Sequence, residues 1–443
     1  MEHKTVGLIS LGCAKNLVDS EHMLGSLLQE GYFLTADPKQ ASILIVNTCS
    51  FITEAKQEAV DTILEMAEYK TKGKCQKLIV TGCLAQHYAK ELSDQLPEVD
   101  AVLGTGVLAK LPLVLSQLKL DKKVIDVGPP GGLLEGPRLL TTPPGSAYLK
   151  LAEGCHHHCT YCIIPKLRGS LTSRPIEDIV AEGERLADQG IQELILIAQD
   201  TTSYGIDLYG ECRLPTLLRK LARISGLRWL RLLYLYPEYV SDALLTVMAE
   251  ESKVCSYLDI PMQHASDRIL KAMGRSSTRD SLTKLLNKVR LFLPDAAIRT
   301  TFIVGFPGET EADFRELMSF VQEQRFDWVG VFPYSPQKDA PSYRLPNQIP
   351  DVIKKERYQK LLYAQSFITK SCNKALLGKS LPVLIEKKIS SGAIGRCFRQ
   401  APEVDGLTYV IGSFLEPGQM VEVNIERATT YDLEGRVASE STQ

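Results

Sequence analysis

Eight residues of the chain hold three cysteines, Cys155-His156-His157-His158-Cys159-Thr160-Tyr161-Cys162, directly after an apolar run that ends near Glu153. Such a run reads as a buried strand, so the thiols belong to the loop at its carboxyl end. In barrels and open sheets of parallel strands, that end carries the functional loops. Three thiolates so close together can face one metal centre. A cubane iron–sulfur cluster takes four ligands, so three cysteines leave one iron open for chemistry. A Cys₃His zinc site using one of the three histidines is the alternative that this spacing admits. Otherwise those histidines read as exposed loop residues.

The sequence around the loop repeats. Apolar runs end near Glu153, Ala198, Leu233, Met262, Val304 and Tyr334, and roughly 30 to 40 residues between runs are enough for one βα unit each. That pattern predicts an open (β/α)₆ barrel. The first third alternates in the same way, with strands expected at Val6–Leu11, Ile43–Asn47, Lys77–Thr81 and Ala101–Leu103 and helices at Asp19–Glu30 and Thr53–Tyr69. Alternation of this kind implies a parallel sheet. Pro/Gly-rich stretches at Gly128–Gly132 and Thr141–Gly145 mark a boundary. Beyond a charged helix from Asp351 to about Leu377, short β-like runs at Leu381–Ile385, Tyr409–Ile411 and Met420–Ile425 predict a small antiparallel β-barrel. The fold class is therefore α/β, with an N-terminal α/β domain over 1–130, a barrel with its following helix over 145–375 and a terminal β-barrel over 378–443. The last residues, Ala438–Gln443, read as a frayed polar tail.

A second cysteine triplet is dispersed. Cys13, Cys49 and Cys83 each follow an expected strand and precede an expected helix. Loops at the carboxyl ends of neighbouring parallel strands converge on one crevice, which would bring the three thiols together. Gly12 and Gly82, just before two of them, let the backbone approach a bulky group. Three unrelated core cysteines are the other reading of this spacing. Cys75, Cys212, Cys255, Cys372 and Cys397 show no comparable pattern and read as structural.

Composition narrows the function. The run Val6–Leu11 is too short for a secretory h-region and no stretch reaches the length of a membrane span, so a soluble cytoplasmic protein is expected. In a reducing compartment, clustered cysteines favour metal ligation over disulfides. The formal net charge of −2 excludes a global basic field for nucleic acid.

With both triplets in view, the chain resembles the methylthiotransferase family of radical S-adenosylmethionine enzymes along nearly its whole length. The CxxxCxxC loop matches the family's radical cluster, and Cys13, Cys49 and Cys83 match the ligands of its second cluster. The terminal barrel resembles the family's TRAM-like substrate-recognition domain. Within the family, the segments Ser10–Glu21, Ala198–Gly205, Leu258–Ser266 and Gln400–Gly406 are similar to the branch that modifies ribosomal protein S twelve rather than transfer RNA. The His156–His158 run departs from relatives, at positions that are not ligands in the family.

The resemblance implies two [4Fe-4S] clusters and S-adenosylmethionine as cofactors. It implies insertion of a methylthio group at the β-carbon of an aspartate of ribosomal protein S twelve. An electron donor such as a flavodoxin or ferredoxin, and a sulfur donor, are the implied partners. Tyr161, between two cluster ligands, would flank the adenine, although loop packing explains it equally. Gly305, in the turn Ile303–Glu309, would lie near the nucleoside, although a plain tight turn accounts for it too. From Ser380 onward six basic residues face nine acidic ones. That balance suits a basic protein partner better than RNA, with Glu403 and Asp405 expected in an exposed loop. A transfer-RNA adenosine methylthiotransferase is the neighbouring alternative. A non-catalytic iron–sulfur carrier is the third, and it would need neither barrel nor terminal module.

Overall fold

The computed structural model describes residues 4–118 and 123–438 of the chain. The expected frayed tail falls outside those residues from position 439 on. The chain divides into two compact units, Met1–Thr141 with Lys150–Arg174 and Ser335–Tyr343, and Thr142–Leu149 with Pro175–Tyr334 and Arg344–Gln443.

The first unit is built on a six-stranded sheet of β1 (Thr5–Ser10), β2 (Phe33–Leu34), β3 (Ile43–Thr48), β4 (Lys77–Gly82), β5 (Ala101–Leu103) and β6 (Val124–Asp126), in the order β2-β1-β3-β4-β5-β6. Every pairing in it is parallel. Successive residues of a strand point to opposite faces. Thus Ile43, Ile45 and Ile79 enter one core while Leu44, Val46, Leu78 and Val80 enter the other. Two covered faces explain why β3 opens with an unbroken apolar run over residues 43–46. The edge strands β2 and β6, two and three residues long, escape the sequence pattern.

Helices α1 (Ala14–Gln29), α2 (Thr53–Lys72), α3 (Cys83–Gln95) and α4 (Leu111–Gln117) connect the strands. Helix α1 begins five residues before the expected Asp19, because its first turns are polar yet buried: Lys15, Asn16, Asp19, Ser20 and Glu21 are all shielded from solvent. The inserted segment Lys150–Arg174 is closed by an antiparallel pair, β8 (Ala152–Glu153) with β9 (Thr172–Ser173), and carries the short helix α5 (Ile164–Arg168).

The second unit contains another six-stranded sheet, whose strands follow chain order: β7 (Ser146–Lys150), β10 (Glu193–Ile197), β11 (Trp229–Leu232), β12 (Val254–Asp259), β13 (Ala297–Val304) and β14 (Trp328–Pro333). Strands β10 to β14 pair in parallel, as the repeat predicts. After the helix Asp351–Lys374 comes a closed barrel of β15 (Ser380–Ile389), β16 (Gly392–Cys397), β17 (Thr408–Ile411), β18 (Met420–Ala428) and β19 (Leu433–Val437). Its pairings are antiparallel except β17 with β19, which run parallel, so the barrel is not wholly antiparallel.

Buried ion pairs fix this barrel to the sheet of its own unit. Glu193 on β10 accepts from Arg231 Nε at 2.7 Å and from Arg396 Nη2 at 2.6 Å, with all three side chains fully buried. Burial raises the Glu193 carboxyl, but Arg396 and Arg231 outweigh it and bring it down to about 2. The Pro402–Gly406 loop corrects an expectation. The Asp405 carboxylate is buried, accepting from Tyr257 Oη at 2.6 Å and from the Ala401 amide at 2.8 Å. Only Glu403 of the expected pair is exposed.

Candidate cluster site

Strand ends place the dispersed triplet. Cys13 follows β1 and precedes α1, Cys49 follows β3, and Cys83 opens α3 directly after β4. Gly12 has φ +89°, and a Cβ there would stand 2.6 Å from Cys49 Cβ and 3.0 Å from its sulfur. Gly82, with φ +91°, lies as tightly against Asn47 and Thr48. Only glycine permits this conformation without a side-chain clash.

The three thiols sense one another. Burial pushes Cys49 up to about 11, and the neighbouring Cys83 and Cys13 add to the rise. Burial likewise raises Cys83, against the opposing pull of Arg168. Cys13 departs in the other direction. Desolvation raises its thiol, but Lys15, Arg168 and the amides of Asn16 and Lys15 overcome that and hold it below its ordinary value. The three thiols therefore lie within electrostatic reach of one another.

Asn16 joins the loops. Its amide nitrogen donates to Leu11 O and Thr48 O, both at 2.9 Å, and so ties together the chain ahead of Cys13 and Cys49. Its side-chain oxygen accepts from Arg168 and lies 4.0 Å from the Cys83 sulfur. Arg168 is buried and donates from Nε to Cys83 Sγ at 3.3 Å and from Nη1 to Asp19 at 2.6 Å and Glu153 at 3.1 Å. Lys150 completes the group, paired with Asp19 and donating to Glu153 at 2.9 Å. Burial alone would lower the Lys150 ammonium, but Asp19 and Glu153 more than compensate and keep it charged.

The compact triplet occupies the same unit. Gly154, with φ +76°, brings the chain against Ser170 O, where a Cβ would sit at 2.1 Å. Amide N–H groups then point at two of the sulfurs: His157 N to Cys155 at 3.5 Å and Ile164 N to Cys162 at 3.4 Å. All three cysteines are half-buried. Tyr161 is half-buried as well, while the Thr160 carbonyl beside it accepts from the Ser342 amide at 2.9 Å. Of the histidines expected to be exposed, only His158 is; His156 and His157 are half-buried with ring centroids 4.3 Å apart. Cys83 packs with Ile163, Leu167 and Ala340, so residues just past Cys162 touch the dispersed triplet.

Gly305 lies in the second unit, where its turn is organised by a buried carboxylate. Glu309 Oε2 accepts from the amides of Gly305 at 2.6 Å and Phe306 at 3.1 Å, and Arg357 pairs with its other oxygen at 2.9 Å. A Cβ at Gly305 would stand 2.3 Å from Lys354 Cγ, so packing against the Asp351–Lys374 helix demands the glycine.

Comparison with known proteins fits this arrangement. Residues 5–104 match the uncharacterized protein family UPF0004, residues 149–321 the radical SAM superfamily and residues 377–438 the TRAM domain. A protein of Syntrophotalea carbinolica named ribosomal protein uS12 methylthiotransferase RimO is 47% identical over 452 residues, covering 100% of this chain and 99% of that one. The chain belongs to this methylthiotransferase family. Relatives of the same name in Moorella thermoacetica and Clostridioides difficile are 48% and 46% identical, each across 98% of this chain and 99% of theirs. In fold, this methylthiotransferase-family chain resembles the radical S-adenosylmethionine methyltransferase TsrM of Kitasatospora setae, solved with cobalamin and a [4Fe-4S] cluster. That likeness has a TM-score of 0.57 at 14% identity and covers 77% of each chain.

The network of Asn16, Asp19, Lys150, Glu153 and Arg168 is what the sequence reading missed. Nothing in α1 announced it, because its polar first turns look like the solvent face of an ordinary amphipathic helix.

Proposed function

We propose that this chain is a radical S-adenosylmethionine methylthiotransferase acting on ribosomal protein uS12, and that it places a methylthio group on the β-carbon of an aspartate. The observation that carries the reading is the presence of both cysteine triplets in one compact unit of a chain from this family. In this reading Cys155, Cys159 and Cys162 hold one [4Fe-4S] cluster, and Cys13, Cys49 and Cys83 hold the other. When bound, the clusters and S-adenosylmethionine supply the radical and the sulfur-transfer chemistry.

The chain's own residues orient and shield. The amides of His157 and Ile164 stabilise thiolate sulfur at Cys155 and Cys162, and three ligands per site leave an iron position open. Tyr161, between two ligands, would flank the adenine, and the Gly305 turn, locked by Glu309, would lie near the nucleoside. Residues 1–130, 145–375 and 378–443 serve as cluster-binding, radical and substrate-recognition modules. An electron donor of the flavodoxin or ferredoxin class and a separate sulfur donor complete the system. The site of action is the cytoplasm; among the described residues no helix is long and apolar enough to cross a membrane.

The test is anaerobic reconstitution with iron and sulfide, followed by mass spectrometry of uS12 and of transfer RNA incubated with the enzyme. The expected product is uS12 carrying one methylthio group in place of a hydrogen on an aspartate. Modification of RNA alone would overturn the reading.

A further inference from the structure

We propose that Arg168 sets the reduction potential of the cluster held by Cys13, Cys49 and Cys83, by donating a hydrogen bond from Nε to the Cys83 sulfur. The inference rests on the reading of that triplet as cluster ligands. It concerns a positioning and tuning residue, since Arg168 acts on the cluster only through a ligand.

Three observations carry it. The guanidinium is buried and pinned: Nη1 is held by Asp19 at 2.6 Å and Glu153 at 3.1 Å, and Nη2 by Asn16. With the other nitrogens committed, Nε is left aimed at Cys83 Sγ at 3.3 Å. Lys150 and Arg168 balance Asp19 and Glu153, two charges against two, before any ligand thiolate is counted. An ion network that served packing alone would not need to direct a donor at sulfur. Finally, Asn16 binds Arg168 and the carbonyls of Leu11 and Thr48, so one side chain registers the arginine against the loops of Cys13 and Cys49.

The direction of the effect follows from charge. Reducing a cluster adds an electron that spreads over iron and ligand sulfur. An N–H donor and a fixed positive charge at that sulfur stabilise the reduced form and raise the potential. Arginine suits the task because it stays charged at every accessible pH and presents its donors in a rigid fork. Arg168 also lies one short helix past Cys162, so the residue that tunes one triplet is anchored in the loop of the other.

The experiment uses the full chain carrying Cys155→Ala, Cys159→Ala and Cys162→Ala, in which the dispersed triplet holds the remaining cluster. After anaerobic reconstitution, a redox titration followed by electron paramagnetic resonance gives its midpoint potential with Arg168 intact, with Arg168→Lys and with Arg168→Met. The potential should fall in both variants, further for Met than for Lys, which keeps the charge but not the Nε donor. Iron content and circular dichroism should stay at the parent's values. If Arg168→Met fails to fold, the Lys variant decides alone. An unchanged potential with the cluster present overturns the inference and leaves the ligand assignment standing. Loss of the cluster from folded variants overturns it too, because Arg168 would then serve assembly. A parent that binds no iron at this triplet defeats the ligand assignment and the inference together.

Discussion

Lys150, Arg168, Asp19 and Glu153 in the first unit, and Arg231, Arg396 and Glu193 in the second, are two ion networks closed off from solvent. They differ in where their donors end. In the second unit the bonds run to oxygen: Glu193 takes both arginines, Arg231 Nη1 continues to Phe398 O at 2.6 Å, and Arg396 Nε to Glu386 at 2.6 Å. In the first unit one arginine nitrogen ends on the sulfur of Cys83. Burying charge is costly, and pairing it well returns roughly what desolvation takes away. Such a network therefore marks fixed geometry, here the seating of the terminal barrel. A donor spent on a thiol suits the proposed role of Cys83 as a cluster ligand.

The sharpest way to break this contrast is to remove the sulfurs. Replacing Cys155, Cys159 and Cys162 by alanine should abolish cleavage of S-adenosylmethionine and remove half of the bound iron, while the other half stays. Replacing Cys13, Cys49 and Cys83 should also halve the iron, yet leave reductive cleavage running without methylthio product. Iron analysis together with chromatography of 5′-deoxyadenosine separates the two outcomes. Normal product from the second variant would make the dispersed triplet structural.

The second unit should answer to stability instead. Glu193→Gln removes the one carboxylate shared by two buried arginines, and leaving a buried charge unpartnered costs about 3–5 kcal/mol. Thermal melting should drop sharply, with iron content per folded chain unchanged. A variant that melted like the parent but lost iron would reverse the roles assigned to the two networks.

Much of this was legible because strands announce themselves. Each dispersed cysteine follows a strand such as Ile43–Thr48, whose first four residues are apolar, and a parallel sheet brings such strand ends together. The partners of the sulfurs were not legible. Asn16 and Asp19 look like the wet face of an amphipathic helix, and Lys150 and Arg168 like ordinary surface cations. Only tertiary packing reveals that all four are buried. Strand β16 was hidden by its two glycines and β19 by Gly435, since glycine weakens a strand signal. Asp405 was misjudged for a similar reason. Pro402-Glu403-Val404-Asp405-Gly406 has the composition of an exposed turn, yet the barrel presses its aspartate against Tyr257 and Arg299.

That burial makes Asp405 a pH probe of barrel seating. Desolvation raises its carboxyl to about 6, with Arg299 and the Tyr257 hydroxyl opposing the rise. The sign is opposite to that of an ordinary ion-paired aspartate. A raised carboxyl contributes stability that is full below its unfolded value near 4 and is lost as pH rises through about 6. Asp405→Asn should therefore gain on the parent between pH 4 and pH 6 by up to about 3 kcal/mol, and the gap should then stay flat. Melting curves at pH 5 and pH 7 check this, and a gap that widened only above pH 7 would assign the titration elsewhere.

The smallest effect belongs to Glu403, which stands exposed two residues away with φ +68°. An exposed charge at the rim of a docking surface steers encounter more than it holds the complex, and exposed pairs contribute about 0–1 kcal/mol. If the terminal barrel docks a basic substrate, as proposed, Glu403→Lys should weaken that docking by only a few-fold. The loss should shrink as salt screens both forms. S-adenosylmethionine cleavage should be untouched, and so should the melt, because this side chain is solvated. Replacing Asp405 in the same assay would confuse docking with folding, which is why the two neighbours must be changed separately. Initial rates of uS12 modification at low and high salt, for the parent and for Glu403→Lys, decide the matter. Equal rates at every salt concentration would mean that Glu403 only solvates its turn and that another face of the barrel meets the substrate.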